Sequence, residues 1–235
     1  MIRLKALVTG ASSGIGKEMA YYLDKLGYDL ILVARDKVKL EEVQNKLSKK
    51  SKIVIIDLAN EKKIKDLYML VKNENIDLLI NNAGFGLFGD YEDVDLLKEL
   101  EMIDVNVKAV HILTRMFLKD MDKRGSGRII NVASSAGLLK GGPLMSTYYA
   151  TKSYVVSFSL AIYEELRRKN SNVKISVLCP GPVDTNFNNV ADVKFCLNGL
   201  SPDFVAKYAI EKTMKGKMVI IPGFTMKVAK VAQRF

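Results

Sequence analysis

Tryptophan is absent from this 235-residue chain, histidine occurs once and cysteine twice. Two cysteines, Cys179 and Cys196, build no disulfide framework, so both are expected as reduced, packed thiols. With one histidine, His111, a Ser-His-Asp hydrolase and an ordinary zinc site are both disfavoured, and no metal is expected. No apolar run approaches the ~18 residues of a membrane span. The start, Met1-Ile2-Arg3-Leu4-Lys5, has no signal-peptide pattern, and the expected location is the cytoplasm. Internal repeats and Pro/Gly/Ser-rich linkers are missing too, so residues 1–235 are expected to form a single domain. The net charge of +10 comes from basic residues spread along the whole chain. That spread fits a solvated lysine-rich surface and not nucleic-acid binding. The basic, apolar stretch 225–235 is expected as a short terminal helix packed on its own domain.

What is present is a regular alternation. Strand-like apolar runs fall at 6–9, 30–34, 52–56, 78–81, 128–133, 174–179 and 218–221. Helical patterns occupy 16–26, 37–47, 62–72, 93–123, 148–168 and 203–214. Strands apolar on both faces and separated by helices predict an α/β fold: a doubly wound, Rossmann-type parallel sheet in three α/β/α layers. The helix over 148–168 has almost no polar face (Val155, Val156, Phe158, Leu160, Ala161, Ile162, Tyr163, Leu166), which predicts burial on the sheet and against a second subunit.

Between the first strand and its helix runs Thr9-Gly10-Ala11-Ser12-Ser13-Gly14-Ile15-Gly16. Glycines allow a tight turn and close approach to a pyrophosphate, and the helix start presents amides and partial positive charge to it. The second strand ends Ala34-Arg35-Asp36. Asp36 lies where an acidic residue would read the 2′-hydroxyl of NAD(H), but it also suits the cap of the next helix. Arg35 comes first and offers a guanidinium to a 2′-phosphate, so NADP(H) is preferred and NAD(H) is the alternative. Position 13, being Ser and not Lys or Arg, adds no second cation.

Tyr148 and Lys152 are four residues apart at a helix start, on one face. A lysine ammonium there is expected to lower the tyrosine pKa from ~10 toward a useful acid–base range, and a cationic nicotinamide would add to this. Ser134 or Ser135, closing a strand, would hydrogen-bond a substrate oxygen.

These pieces resemble the short-chain dehydrogenase/reductase (SDR) family over nearly the whole chain. They are the glycine turn, Asn81-Asn82-Ala83-Gly84, Asn106-Val107, Asn131-Val132-Ala133-Ser134-Ser135-Ala136-Gly137, Tyr148 with Lys152, and Pro180-Gly181-Pro182-Val183-Asp184-Thr185. The resemblance implies hydride transfer between a nicotinamide and a carbonyl carbon, with Tyr148 moving the proton to or from oxygen. It implies a catalytic set of Asn106 (holding a relay water), Ser134, Tyr148 and Lys152, with Lys152 also on the nicotinamide ribose. Cofactor contacts are implied at Gly10, Ser12, Ser13, Gly14, Ile15, Gly16 and Arg35. Asp57 and Leu58 fall by the adenine, and Asn82, Ala83 and Gly84 along the cofactor. Pro180, Gly181, Val183 and Thr185 fall at the carboxamide end. It also implies a homodimer or homotetramer. Counting forward from Asn131 selects Ser134, whereas counting back thirteen from Tyr148 selects Ser135; Ser134 is taken, with one extra residue within 138–145.

A substrate wall is expected from 85–88, 138–145 and 187–199, mostly apolar, with 186–199 as a short lid. The expected substrate is an uncharged, apolar-bodied ketone or aldehyde, or the matching alcohol. Two other readings stand beside it: a non-catalytic NAD(P)-binding regulatory or scaffold module, and an epimerase or dehydratase with a cycling nicotinamide.

Overall fold

The computed structural model describes residues 3–48, 51–185 and 199–223. Among the described residues, seven strands alternate with helices. They are β1 (Lys5–Thr9), β2 (Asp29–Ala34), β3 (Ser51–Ile55), β4 (Leu78–Asn81), β5 (Arg128–Val132), β6 (Lys174–Leu178) and β7 (Val219–Ile220). The helices are α1 (Gly14–Lys25), α2 (Lys37–Gln44), α3 (Glu61–Val71), α4 (Leu96–Ile103), α5 (Val110–Arg124), α6 (Ser146–Arg168) and α7 (Pro202–Met214). Every strand pairing is parallel, in the order β3-β2-β1-β4-β5-β6-β7.

The strand sequences explain this arrangement. Leu7, Val8, Leu32, Val33, Leu79, Ile80, Ile129 and Ile130 are fully buried and point alternately to the two faces of the sheet. One face packs Val8, Leu32 and Ile80 with Met19, Leu23, Leu40, Ala206 and Ile210 from α1, α2 and α7. The other packs Leu7, Leu79 and Ile129 with Ile64, Leu67, Leu113, Phe117 and Ile162 from α3, α5 and α6. Each fully buried Leu or Ile contributes about 1.5–3 kcal/mol of transfer free energy, which makes the two-sided sheet stable. The chain winds β1 to β3 in one direction and resumes with β4 on the other side of β1. The crevice at the carboxyl ends of β1 and β4 is therefore the switch point at which such sheets bind ligands.

One element departs from the sequence reading. The helix expected over 93–123 is interrupted by a π-helical segment, Asp104–Ala109, between α4 and α5. Periodicity in apolar residues does not reveal a hydrogen-bonded loop widened by one residue over so short a segment. The segment holds Asn106 fully buried, and π-turns recur at functional positions. Among the described residues no helix is long and apolar enough to cross a membrane. Cys196 and the stretches expected as a lid and as a terminal helix lie outside the described residues, apart from Gly199.

Candidate active site

A cleft of about 510 Å³ opens along the carboxyl ends of the strands. Its floor starts at the glycine turn. Gly10 has φ +64, and a Cβ there would meet Asn82 Nδ2 at 2.7 Å and Ala83 Cα at 2.9 Å. Only glycine fits both the backbone and the space. Thr9, which the motif reading did not single out, fastens this turn to the loop after β4. Its Oγ1 accepts from Asn82 N (2.9 Å) and Ala83 N (3.0 Å) and donates to Ile80 O (3.3 Å). Asn82 Nδ2 donates back to Thr9 O (3.0 Å) and Gly10 O (3.2 Å). The Asn82 side chain thus holds the turn in place. The sequence signal for Thr9 was a hydroxyl on the last strand residue before a glycine that must sit close to a second loop.

α1 starts at Gly14, and its first intrahelical bond is Lys17 N to Ser13 O at 3.1 Å. The amides of Gly14, Ile15 and Gly16 precede it, no acidic side chain lies in the first turn, and Ser13 makes no side-chain cap. This is a helix start suited to a phosphate. Ser12, Ser13, Gly14 and Ile15 line the cleft, whereas Gly16 sits behind them, pressed on the Gly10 carbonyl and Asn82. Opposite, Pro180, Gly181, Val183 and Thr185 form a second wall. A Cβ at Gly14 would touch Thr185 Cγ2 at 3.3 Å, so the two walls nearly meet.

At one end the cleft is lined by Arg35, Asp36, Lys39, Asp57 and Leu58. Asp36 is the cap of α2: its Oδ1 accepts from Lys39 N at 3.1 Å, and that bond lowers its carboxyl pKa. Its other oxygen faces Lys39 Nζ at 3.3 Å. Asp57 Oδ1 accepts from Ala59 N at 3.0 Å. Arg35 Nη1 donates to Glu101 Oε1 at 2.9 Å, with a side chain 62% exposed. Sequence reasoning missed both Lys39 and Glu101.

At the other end stand the residues expected to react. Tyr148 is 8% exposed, and its hydroxyl shares a hydrogen bond with that of Ser134. Ser134 Oγ also accepts from Ala136 N at 3.1 Å. Lys152, 5% exposed, donates from Nζ to Val132 O at 3.2 Å and lies 5.7 Å from the Tyr148 ring centre. Asn106 stands outside the cleft lining. Its Nδ2 donates to Phe85 O (2.8 Å) and Thr151 Oγ1 (3.2 Å), and its Oδ1 accepts from Phe85 N (3.1 Å). It thereby ties the loop after Gly84 to α6. Gly84 permits this, since a Cβ there would meet Asn106 Oδ1 at 2.7 Å and Lys152 Nζ at 3.2 Å.

The electrostatics differ from the expectation of a tyrosine lowered by its lysine. Burial pushes Tyr148 up to about 12, the Ser134 hydrogen bond opposing it in part. Burial brings Lys152 down to about 8. Desolvation is the largest cause for both groups, and Lys152 turns its Nζ to the Val132 carbonyl. Around Tyr148 the wall is apolar: Met102, Ala136 and Met145 pack with Phe85, Leu87 and Tyr149.

The chain matches the short chain dehydrogenase family model over residues 4–193. It is 33% identical over 219 residues to the very-long-chain 3-oxoacyl-CoA reductase of Homo sapiens, covering 88% of this chain and 67% of that one. It is also 33% identical over 189 residues to an uncharacterised oxidoreductase of Staphylococcus epidermidis, covering 80% and 81%. Among solved structures it is similar to a short chain dehydrogenase/reductase from Burkholderia phymatum in complex with NAD (TM-score 0.89, 26% identity, 97% of this chain and 92% of that one). A second is a short-chain dehydrogenase from Sphingobium yanoikuyae in complex with NADPH (TM-score 0.87, 25% identity, 98% and 94%). Motifs, sheet order and cleft agree with these likenesses, and the chain belongs to the short-chain dehydrogenase/reductase family of oxidoreductases.

Proposed function

We propose that this protein is an NADP(H)-dependent reductase of apolar-bodied ketones or aldehydes, with Tyr148 as the proton donor. The observation that carries the reading is the Tyr148–Ser134 hydroxyl pair, set in an apolar pocket at one end of a glycine-lined trough. A nicotinamide cofactor fits the trough: the Gly10 and Gly84 positions leave no room for a Cβ, and the α1 start offers its amides. When bound, the reduced nicotinamide supplies the hydride.

The chain's own groups supply the rest. A tyrosine pushed up by burial stays protonated at neutral pH, the state that donates to a carbonyl oxygen. Ser134 Oγ, bonded to the same hydroxyl, orients the substrate oxygen. Lys152, with a pKa near 8, is mostly an ammonium at pH 7, placed to hold a ribose hydroxyl and to stabilise a developing phenolate. Asn106 fixes the floor between 85 and α6, beside which a relay water would sit. Gly10, Ser12, Ser13, Gly14, Ile15, Asn82, Ala83, Pro180, Gly181, Val183 and Thr185 would hold the cofactor along the trough, with Gly16 supporting the turn. Asp57 and Leu58 would face the adenine.

The preference for NADP(H) rests on Arg35 and Lys39 in the lining and on Asp36 being engaged as a helix cap. Phe85, Met145 and Tyr149 favour an uncharged substrate body. For assembly, the proposal is a homodimer or homotetramer using the outer face of α6, where Tyr154 and Leu160 are exposed. The test is NADPH consumption with a panel of carbonyls. Turnover should favour apolar ketones and aldehydes over charged ones of equal size, and turnover confined to anionic substrates would refute the pocket assignment.

A further inference from the structure

The two cations at the adenosine end of the cleft are each already held by a carboxylate, but in different ways. Lys39 faces Asp36, whose other oxygen caps α2 through the Lys39 amide; moving Asp36 would unmake a helix start. Arg35 faces Glu101 Oε1 at 2.9 Å, from the end of β2 to the last turn of α4. Glu101 has no such duty. Its Oε2 already lies 3.3 Å from Lys98 Nζ, so it keeps an ionic partner if Arg35 leaves. Arg35 itself lines the cleft beside Asp36, Lys39 and Asp57, so the pair lies at the adenosine end and not on a remote surface.

A guanidinium bonded to a carboxylate has part of its donor fork spent, in the same planar geometry that a phosphate would use. We propose that Glu101 is a specificity-determining residue that occupies Arg35 and is displaced when a 2′-phosphate binds. This rests on the reading of Arg35 as the 2′-phosphate ligand. NADH, which carries no 2′-phosphate, leaves the Arg35–Glu101 pair intact. NADPH must displace it, leaving Glu101 with Lys98. The competition lowers the preference for NADPH below what Arg35 alone would give. An exposed ion pair contributes only up to ~1 kcal/mol, so removing the competitor should tighten NADPH by roughly two- to five-fold.

The test is calorimetric titration of NADPH and NADH into the wild type, Glu101→Gln, Arg35→Ala and the double variant, with thermal unfolding of each as a check on folding. We expect Glu101→Gln to tighten NADPH, leave NADH unchanged, and lose its effect when Arg35 is Ala. If Arg35→Ala weakens NADPH selectively while Glu101→Gln leaves NADPH unchanged or weaker, Glu101 is a bystander or a support for Arg35, and the inference alone fails. Should the tightening persist in the double variant, Glu101 repels the phosphate without acting through Arg35, and the exchange is overturned. If Arg35→Ala weakens both cofactors equally, the Arg35 reading itself falls and carries the inference with it.

Discussion

Tyr148 and Lys152 show how burial sets the working state of a reacting pair. Tyr148 rises to about 12 and Lys152 falls to about 8 for one reason, removal from water. Two predictions follow from the directions. Carbonyl reduction, which uses the protonated tyrosine, should have a kcat nearly flat between pH 6 and 7.5; alcohol oxidation, which needs the phenolate, should climb with pH. A steady-state pH profile in both directions checks this, and a reduction rate falling steeply with pH below 7 would contradict it. The second prediction concerns stability. The folded pKa of Lys152 lies below its ordinary 10.5, so the unfolded chain binds more protons between about 8 and 10.5. Stability from this group therefore rises with pH across that window, and below pH 8 the folded state carries its full cost, about 3 kcal/mol at most. Lys152→Met should abolish reduction yet raise Tm at pH 7 by a few degrees, a gain that shrinks toward pH 10.5. A Tm lowered at pH 7 would mean that the Val132 hydrogen bond outweighs the desolvation.

At the scale of elements, the loops after β1 to β6 and the start of α6 line the cleft, and two of those loops and the helix are tied to one another by side chains. The loop after β1 and the loop after β4 meet through Thr9 and Asn82, and α6 meets the second loop through Asn106. Thr9→Val would keep the shape and remove the acceptor, leaving the Asn82 and Ala83 amides unpaired. We expect a loss of about 1–3 kcal/mol in denaturant unfolding and a weaker Kd for NADPH. An unchanged Kd would show that the turn holds without its strap. These joints also mark the limits of reading the sequence. Strand positions were legible because β1, β4 and β5 are apolar on both faces, and Asp36 was read as a cap because it directly precedes a helical run. The π-segment around Asn106 was not legible, since its period differs from the α-helix by a fraction of a residue. Nor was the Arg35–Glu101 pair, whose partners are 66 residues apart and meet only through the fold. Nor was the depth of Tyr148 legible: sequence spacing gives proximity to Lys152, whereas burial, which raises the tyrosine's pKa, is a property of the packed pocket.

For the molecule as a whole, a doubly wound sheet puts its switch point between β1 and β4, and every loop carrying a family motif ends there or beside it. The outer face of α6 remains available for assembly, with Leu160 41% and Tyr154 39% exposed. Sedimentation should give a dimer or tetramer, and Leu160→Glu should shift it toward the monomer; a wild-type monomer at micromolar concentration would contradict the assembly proposal. The central claim is that this fold presents Tyr148 as the proton donor to a carbonyl. Its most direct test compares wild type and Tyr148→Phe by NADPH binding and by kcat on the best carbonyl substrate. The account predicts unchanged Kd for NADPH and a kcat lower by ~10²–10⁴ or more, because only the transferred proton is removed. A Phe variant that binds NADPH normally and turns over at a rate near that of wild type would contradict it.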